Sequence, residues 1–271
     1  MGGNSDTVNV GCAHIPLVLE FVQRYHCTAM SSDEPVINSA GLIAGEKASA
    51  GKLRIPLAAK IIYSVFLAIL VPAYLRDYGA TNFLYFCDIA LFLTFAGMWL
   101  ENSLLISMCA VGLLLPQTLW LADFAGQLLG IHLTGMTAYM FDHNLPLFTR
   151  GLSLFHGWLP LLLVWLLFCL GYDKRAYPTW TVLAGALVLI SYFFLPPAGA
   201  HLANHNTPVN IDYVYGFSDS EPQHWVNQRL YVVLWIGILW LVAFLPTHLV
   251  LRKFCRPAGL RQELVVATPQ L

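Results

Sequence analysis

The chain has 271 residues, of which 58% are hydrophobic and 11% are charged, and its formal net charge is −1. Soluble domains carry about 25% charged residues, so a soluble fold of this length would lack the charged side chains that its surface needs. The small net charge also provides no basic face for nucleic acid. The composition therefore argues against nucleic-acid binding and predicts a protein that is covered by lipid.

The six cysteines follow no disulfide or zinc pattern. Three of them, Cys87, Cys109 and Cys169, lie inside apolar runs, and no C-x-x-C pair occurs. Secreted disulfide frameworks have regularly spaced cysteines outside apolar runs, and zinc ribbons have C-x-x-C pairs. We therefore expect neither a structural metal nor a bound cofactor.

Six segments are candidates for membrane-spanning helices. A helix that crosses about 30 Å of hydrocarbon needs about 20 mainly apolar residues. The segments are Pro56–Leu75, Asn82–Leu100, Ser103–Ala122, Leu152–Leu170, Thr179–Leu195 and Trp225–Leu245. We predict an all-α polytopic membrane bundle of about six transmembrane helices. The glycine- and histidine-containing stretch 123–148 is predicted to be interfacial or re-entrant, with a further partial span as the alternative.

Three regions follow from this pattern. Residues 1–52 are polar or weakly apolar and are predicted to form an N-terminal tail that is partly disordered or lies on a surface. This tail has no basic start followed by an apolar run, so no cleavable signal peptide is predicted. Residues 53–252 form the predicted transmembrane domain. Residues 253–271 form a predicted cytoplasmic tail.

The basic residues are distributed unequally between the two sets of connections. Nine lie on one side, namely Lys47, Lys52, Arg54, Lys174, Arg175, Arg252, Lys253, Arg256 and Arg261, and three lie on the other, namely Arg76, Arg150 and Arg229. Because positively charged loops tend to stay in the cytoplasm, we predict that both termini are cytoplasmic. The expected location is the cell membrane or an inner membrane.

Five tryptophans lie near predicted helix ends: Trp99, Trp120, Trp158, Trp180 and Trp225. An amphipathic indole ring favours the headgroup zone of a bilayer. We therefore predict that these side chains form the aromatic belts of the protein.

Ionisable side chains inside a span are costly and raise a functional question. Cys87 and Asp88 lie about 8 Å into the second predicted helix at 1.5 Å per residue, and His156 lies at a similar depth on the fourth. Each has an ordinary explanation as well: packing for the thiol, a cap for the carboxylate, and a backbone hydrogen bond for the imidazole. A histidine that activates a thiol is the functional alternative. Asp88 points about 100° away from Cys87 around the helix. It is therefore not predicted to be the third member of a catalytic triad with Cys87 and His156.

Other polar residues are predicted to share the outer end of the bundle. They are Gln117 and Asp123 at the end of the third helix, and His201, Asn204, His205, Asn206 and Asn210 in the outer loop. A match in depth does not by itself place these side chains in contact.

Three stretches in order resemble a known family. They are NFLYFCDIALFL from Asn82, SLFHGW from Ser153 and VNIDYVYG from Val209. Together they resemble the transmembrane protein 164 and YwaF-like membrane proteins over about residues 82–245. That family is similar to integral membrane acyltransferases, which move a fatty acyl chain between glycerophospholipids through a cysteine assisted by a histidine. A more distant similarity is to the androgen-induced lipid hydrolases, which use threonine in place of the cysteine.

The resemblance implies roles for individual residues. Cys87 matches the family nucleophile and His156 matches the family base, while Asn210 and Tyr213 fall on a polar feature of the family. The bacterial pattern often has histidine two residues before the cysteine, where this chain has Tyr85. A phenol does not accept a proton at neutral pH as imidazole does, so no upstream base is expected here.

The resulting hypothesis is acyl transfer or hydrolysis on membrane lipids. Cys87 would attack an ester carbonyl, His156 would accept the thiol proton, and a lysolipid or water would resolve the thioester. Asp88 would support the site. Gln117, Asn210 and Tyr213 are candidate donors to the oxyanion.

Two alternatives remain open. His201 and His205 have the H-x-x-x-H spacing that places two imidazoles on one helix face, which would suit a metal-dependent membrane enzyme. Intramembrane polar residues also occur in transporters, scaffolds and accessory subunits. A larger membrane complex or an oligomer is therefore a further expectation of the non-enzymatic hypothesis.

Overall fold

The structure is a computed structural model that describes residues 55–131, 133–204 and 206–258. The predicted tail 1–52 and residues 259–271 of the predicted C-terminal tail lie outside this part of the chain. The described residues form an all-helical bundle without strands, and their one isolated β-bridge joins Tyr172 to Pro257. The predicted fold class is confirmed.

Eight α-helices occupy the described residues. They are α1 (Leu57–Asp77), α2 (Phe86–Leu100), α3 (Ser103–Leu128), α4 (Leu147–Leu152), α5 (Phe155–Leu170), α6 (Ala176–Phe194), α7 (Gln228–Ile238) and α8 (Leu245–Phe254). Short 3₁₀-helices lie at Ala80–Leu84, Ala138–Phe141 and Ile211–Tyr213. A π-helical segment, Leu239–Phe244, joins α7 to α8.

Five helical stretches are long and apolar enough to cross a membrane: Leu57–Asp77, Ser103–Leu128, Leu147–Leu170, Ala176–Phe194 and Gln228–Phe254. The chain is therefore a multi-pass membrane protein. Helix α2 is apolar but has only 15 residues, which gives about 22 Å at 1.5 Å per residue. The predicted span from Asn82 is too long because the chain forms a 3₁₀-helix at Ala80–Leu84 and is extended at Tyr85.

Polar contacts define two ends of the bundle. At the first, the Lys60 end, Lys60 Nζ lies 2.9 Å from Glu101 Oε1, and Asp173 N donates to Ser107 Oγ at 3.0 Å. At the second, the Cys87 end, Thr149 Oγ1 donates to the carboxylate of Asp77. Consecutive apolar stretches therefore run in alternating directions between the two ends.

The basic residues of the described chain follow the same division. Lys60, Lys174, Arg175, Arg252, Lys253 and Arg256 belong to the Lys60 end, while Arg76, Arg150 and Arg229 belong to the Cys87 end. This division agrees with the predicted positive bias. The assignment of the Lys60 end to the cytoplasm rests on that bias alone, so the orientation and the host membrane stay predictions.

Helix α3 is the centre of the bundle and packs against α2, α5 and α6. Small side chains let the neighbouring helices approach closely, and Ser107, Cys109, Ala110 and Gly112 are all buried on α3. The ring of Trp180 on α6 lies directly against Gly112. A Cβ atom added there would come within 1.9 Å of the indole.

The predicted tryptophan belts are wrong for two of the five residues. Trp180 is fully buried against α3, and Trp120 is buried beside α5. Trp99, Trp158 and Trp225 are exposed, as lipid-facing belt residues should be. Position along a helix does not reveal which face of that helix meets the protein core.

The stretch 123–148 does not contain a further span in its described residues. Helix α3 continues past Asp123 to Leu128, so Asp123 does not end the helix as predicted. The Asp123 carboxylate accepts hydrogen bonds from Thr134 N at 2.6 Å, Gly135 N at 3.1 Å and Thr137 N at 2.9 Å. These bonds fold the following loop back onto the end of α3.

We expect Gly112→Ala to lower the free energy of unfolding by about 1–3 kcal/mol, because the new methyl group displaces the Trp180 ring. Gly237→Ala is the matched control, since a Cβ atom at Gly237 meets nothing within 4 Å. Thermal unfolding in detergent measures both variants. Equal unfolding midpoints for the two would contradict this packing.

Candidate active site

Cys87 and His156 occupy equivalent places on two helices. Cys87 is the second residue of α2 and His156 is the second residue of α5, and both helices begin at the Cys87 end and contact each other. Both side chains therefore lie in a first helical turn. The helix starts differ from the predicted ones, since α2 begins at Phe86 and α5 begins at Phe155 after a break from α4.

The start of α2 is capped from a distant part of the chain. Tyr85 has an extended backbone and its side chain forms no capping bond. Instead, Phe86 N donates to Asp212 Oδ1 at 3.2 Å, across 126 residues of sequence. A helix leaves its first amides without intrahelical acceptors, and a carboxylate is a favourable partner there because of the helix dipole. Asp212 therefore fixes the position of the turn that carries Cys87.

Asp88 is the nearest polar partner of the Cys87 thiol. Cys87 Sγ lies 3.7 Å from Asp88 Oδ2, which also accepts a hydrogen bond from Asn82 Nδ2 at 3.2 Å. Helical side chains lean toward the N-terminus, so the Asp88 carboxylate reaches back to the first turn. The predicted separation of Cys87 and Asp88 by about 100° around the helix therefore does not prevent contact between their side chains. Asp88 Oδ1 is buried and has no hydrogen-bond partner in the described chain.

His156 is held by an amide and two aromatic rings. His156 Nδ1 lies 2.7 Å from Gln117 Oε1. The imidazole stacks on Trp120 and on Phe155, with ring centroids 4.6 Å and 4.1 Å away. Because an amide oxygen only accepts hydrogen bonds, Nδ1 carries the hydrogen and Nε2 keeps its lone pair. Gln117 therefore orients His156 through its carbonyl oxygen, and this bond does not use the Nε2 hydrogens of its amide.

The structure does not join the predicted catalytic pair directly. Among the described residues, the hydrogen-bond partner of Cys87 is Asp88 and that of His156 is Gln117. The side chain in contact with the thiol is therefore the carboxyl group of Asp88 and not the imidazole of His156.

The segment from Asn210 to Tyr213 has a strained backbone. Asn210, Asp212 and Tyr213 have φ angles of 54°, 57° and 58°. Asparagine and aspartate enter this left-handed region more readily than other non-glycine residues, and tyrosine enters it rarely. Such strain persists only where surrounding contacts enforce it, and it concentrates at functional sites.

The contacts that enforce this conformation come from the loop itself and from α7. Asn210 Nδ2 donates to Gly216 O at 2.9 Å and to Ser218 O at 3.0 Å. Trp235 Nε1 on α7 donates to Asp212 O at 2.8 Å. The Asn210 amide is therefore committed to its own loop and does not serve as the predicted oxyanion donor.

Tyr213 also has a structural part in this loop. Its carbonyl oxygen accepts a hydrogen bond from Tyr231 Oη at 3.1 Å, so the backbone of Tyr213 is held by α7. Asp212, between Asn210 and Tyr213, was not among the predicted site residues. Its only sequence signal was an acidic side chain inside the aromatic stretch VNIDYVYG.

The predicted metal site gains no support from the geometry. Residues 201–204 are irregular and His201 is exposed, so the helix that the H-x-x-x-H spacing requires is not formed there. His205 lies outside the described residues. The part of the chain that the structure describes contains no cluster of three or more metal-ligating side chains that could hold an ion.

Asp212 has two properties that substitutions can separate: it accepts the hydrogen bond from Phe86 N, and its buried carboxyl group can carry a charge. Burial raises the pKa of Asp212 well above the usual aspartate value. The folded state therefore binds this proton more tightly than the unfolded state. The stabilisation is complete below the unfolded pKa of about 4 and is lost as the pH rises through the folded pKa.

We expect Asp212→Asn to keep the bond from Phe86 N, since an amide oxygen can accept it, and to weaken the pH dependence of stability. Asp212→Ala should lower the free energy of unfolding by about 0.5–2 kcal/mol, the usual effect of losing an N-cap. Thermal unfolding between about pH 4 and about pH 8 tests both variants. Identical pH profiles for the native protein and Asp212→Asn would contradict the buried carboxylate.

No protein-family model, curated protein or solved structure matches this chain. The family resemblance therefore stays a prediction, and the site geometry carries the functional argument.

Proposed function

We propose that the protein is an integral membrane lipid acyltransferase or lipid hydrolase that acts on glycerophospholipid acyl esters through Cys87. The observation that carries this proposal is the contact between the Cys87 thiol and the Asp88 carboxylate in the first turn of an apolar helix. A thiol beside a base is the arrangement that covalent acyl transfer requires.

The short length of α2 supports a lipid substrate. Its C-terminal end is tied to the Lys60 end by the pair Lys60–Glu101. If that end lies at the hydrocarbon boundary, the start of α2 lies about 22 Å into a layer of about 30 Å. Cys87, the second residue of α2, then lies about 9 Å below the opposite boundary, by the same rise per residue. A nucleophile at this level meets lipids more readily than water-soluble substrates.

The first stage forms a thioester. Asp88 Oδ2 takes the proton of the Cys87 thiol, and the sulfur attacks the ester carbonyl carbon. The carbon–sulfur bond forms, the bond from the carbonyl carbon to the alcohol oxygen breaks, and Asp88 returns the proton to the departing lysolipid oxygen. The amide of Cys87 lies in the first helical turn, where amides lack intrahelical acceptors, and it is the candidate donor to the oxyanion.

The second stage resolves the thioester. A lysolipid hydroxyl or a water gives its proton to a base and attacks the thioester carbonyl, and the sulfur leaves and regains that proton. His156 is proposed for this base, because its bond with Gln117 leaves Nε2 with a free lone pair. A lysolipid acceptor gives acyl transfer and water gives hydrolysis.

We expect Cys87→Ala to abolish acyl exchange and Asp88→Asn to reduce it by about 10²–10⁴-fold, the usual contribution of a positioned base. The measurement uses purified protein with isotope-labelled phospholipid and lysophospholipid in mixed micelles. Cys109→Ala is the control, since Cys109 is a buried thiol on α3 that contacts Ala90 O. Full activity in Cys87→Ala would refute the proposal.

Thiol alkylation distinguishes Asp88 from His156 as the partner of Cys87. We expect Asp88→Asn to slow both alkylation of Cys87 and acyl exchange, because an amide cannot take the thiol proton. His156→Ala should leave the alkylation rate unchanged, since the imidazole does not contact the thiol. Mass spectrometry of the Cys87 peptide follows the reaction. A changed rate in His156→Ala alone would assign the contact to the imidazole.

A further inference from the structure

A turn at the Cys87 end presents large apolar side chains that the described chain does not cover. We call Leu128, Leu129, Ile131 and Leu133 the apolar turn. All four are more than half exposed, and Leu129 reaches 78%. Leu147 and Phe148, in the first turn of α4 at the same end, are exposed at 76% and 58%.

The apolar turn has a defined shape. Leu129 N and Ile131 N both donate to Gly126 O, at 2.9 Å and 2.8 Å, and Gly130 has a φ of 77°. The Asp123 carboxylate anchors the residues that follow. The backbone of the apolar turn is therefore fixed, while its side chains stay more than half exposed.

The charge pattern around the turn indicates what covers it. Residues 124–141 contain no Asp, Glu, Lys or Arg. Exposed apolar patches on soluble surfaces are rare and mark contact with a protein or a membrane. A run of this length without charge, directly continuous with a membrane-spanning helix, suits lipid.

The length of α3 indicates how deep the apolar turn lies in the membrane. Its 26 residues extend about 39 Å at 1.5 Å per residue, which exceeds the hydrocarbon thickness of about 30 Å. The end of α3 therefore reaches the headgroup zone when its start lies at the opposite boundary. Apolar side chains that fold back from this level enter the acyl region.

We propose that the apolar turn, together with Leu147 and Phe148, inserts into the lipid leaflet at the Cys87 end, with phospholipid acyl chains as its partner. This surface is an interfacial anchor and does not depend on the acyl chemistry proposed for Cys87. It holds the long loop between α3 and α4 against the membrane.

Fluorescence quenching tests the insertion. Leu129→Cys and Leu133→Cys are labelled with bimane in a full-length chain whose native cysteines are replaced by serine, and the protein is placed in phospholipid nanodiscs. Asn144→Cys and Ser220→Cys are the controls, because both side chains are exposed in loops outside the apolar turn. We expect spin-labelled phospholipid to quench Leu129 and Leu133 at least about twofold more than the controls. Stronger quenching of Leu129 by aqueous iodide than by lipid would overturn the proposal.

The unmodified protein provides a second measurement, which decides the matter if the cysteine-free chain does not fold. A phospholipid with a diazirine on its acyl chain is photoactivated in the same nanodiscs. Mass spectrometry should find the label on the peptide that contains residues 128–133 and not on the peptide that contains residues 217–221. Equal labelling of the two peptides would contradict insertion.

Discussion

The hydrogen bond from Phe86 N to Asp212 Oδ1 is the constraint on which the site depends. It joins the start of α2 to a loop 126 residues away, and that loop is in turn held by α7 through Trp235. Because Cys87 and Asp88 directly follow Phe86, the same bond sets the position of the thiol and its carboxylate partner.

Two buried carboxylates at one helix start require physical compensation. Asp88 and Asp212 are both nearly fully buried, and in the described chain neither forms an ion pair with Lys or Arg. Burial of an unpaired charge is costly. The helix dipole, the amide of Phe86 and the side chain of Asn82 offset part of this cost. The left-handed backbone at Asp212 adds conformational strain at the same place.

Much of the fold was predictable, and the site was predictable only in part. Hydropathy located five of the apolar stretches that can span a membrane and the short sixth helix α2, and the predicted placement of Cys87 and His156 near one end agrees with their first-turn positions. The pairing of side chains was not predictable. Gln117 bonds His156, Asp88 contacts Cys87, and Asn210 is used within its own loop. These pairings depend on how each helix is rotated about its axis, and the depth of a residue along the helix does not indicate that rotation.

The sequence by itself determined that the chain is a helical membrane bundle, because only about 20-residue apolar segments satisfy the backbone in lipid. It also determined which basic residues share an end, because each short connection must stay on one side. Only the tertiary structure decided that Asp212 caps α2 and that Trp120 and Trp180 are buried. The physical reason is that both facts depend on which faces of the helices meet, and this is fixed by close contacts such as Gly112 against Trp180.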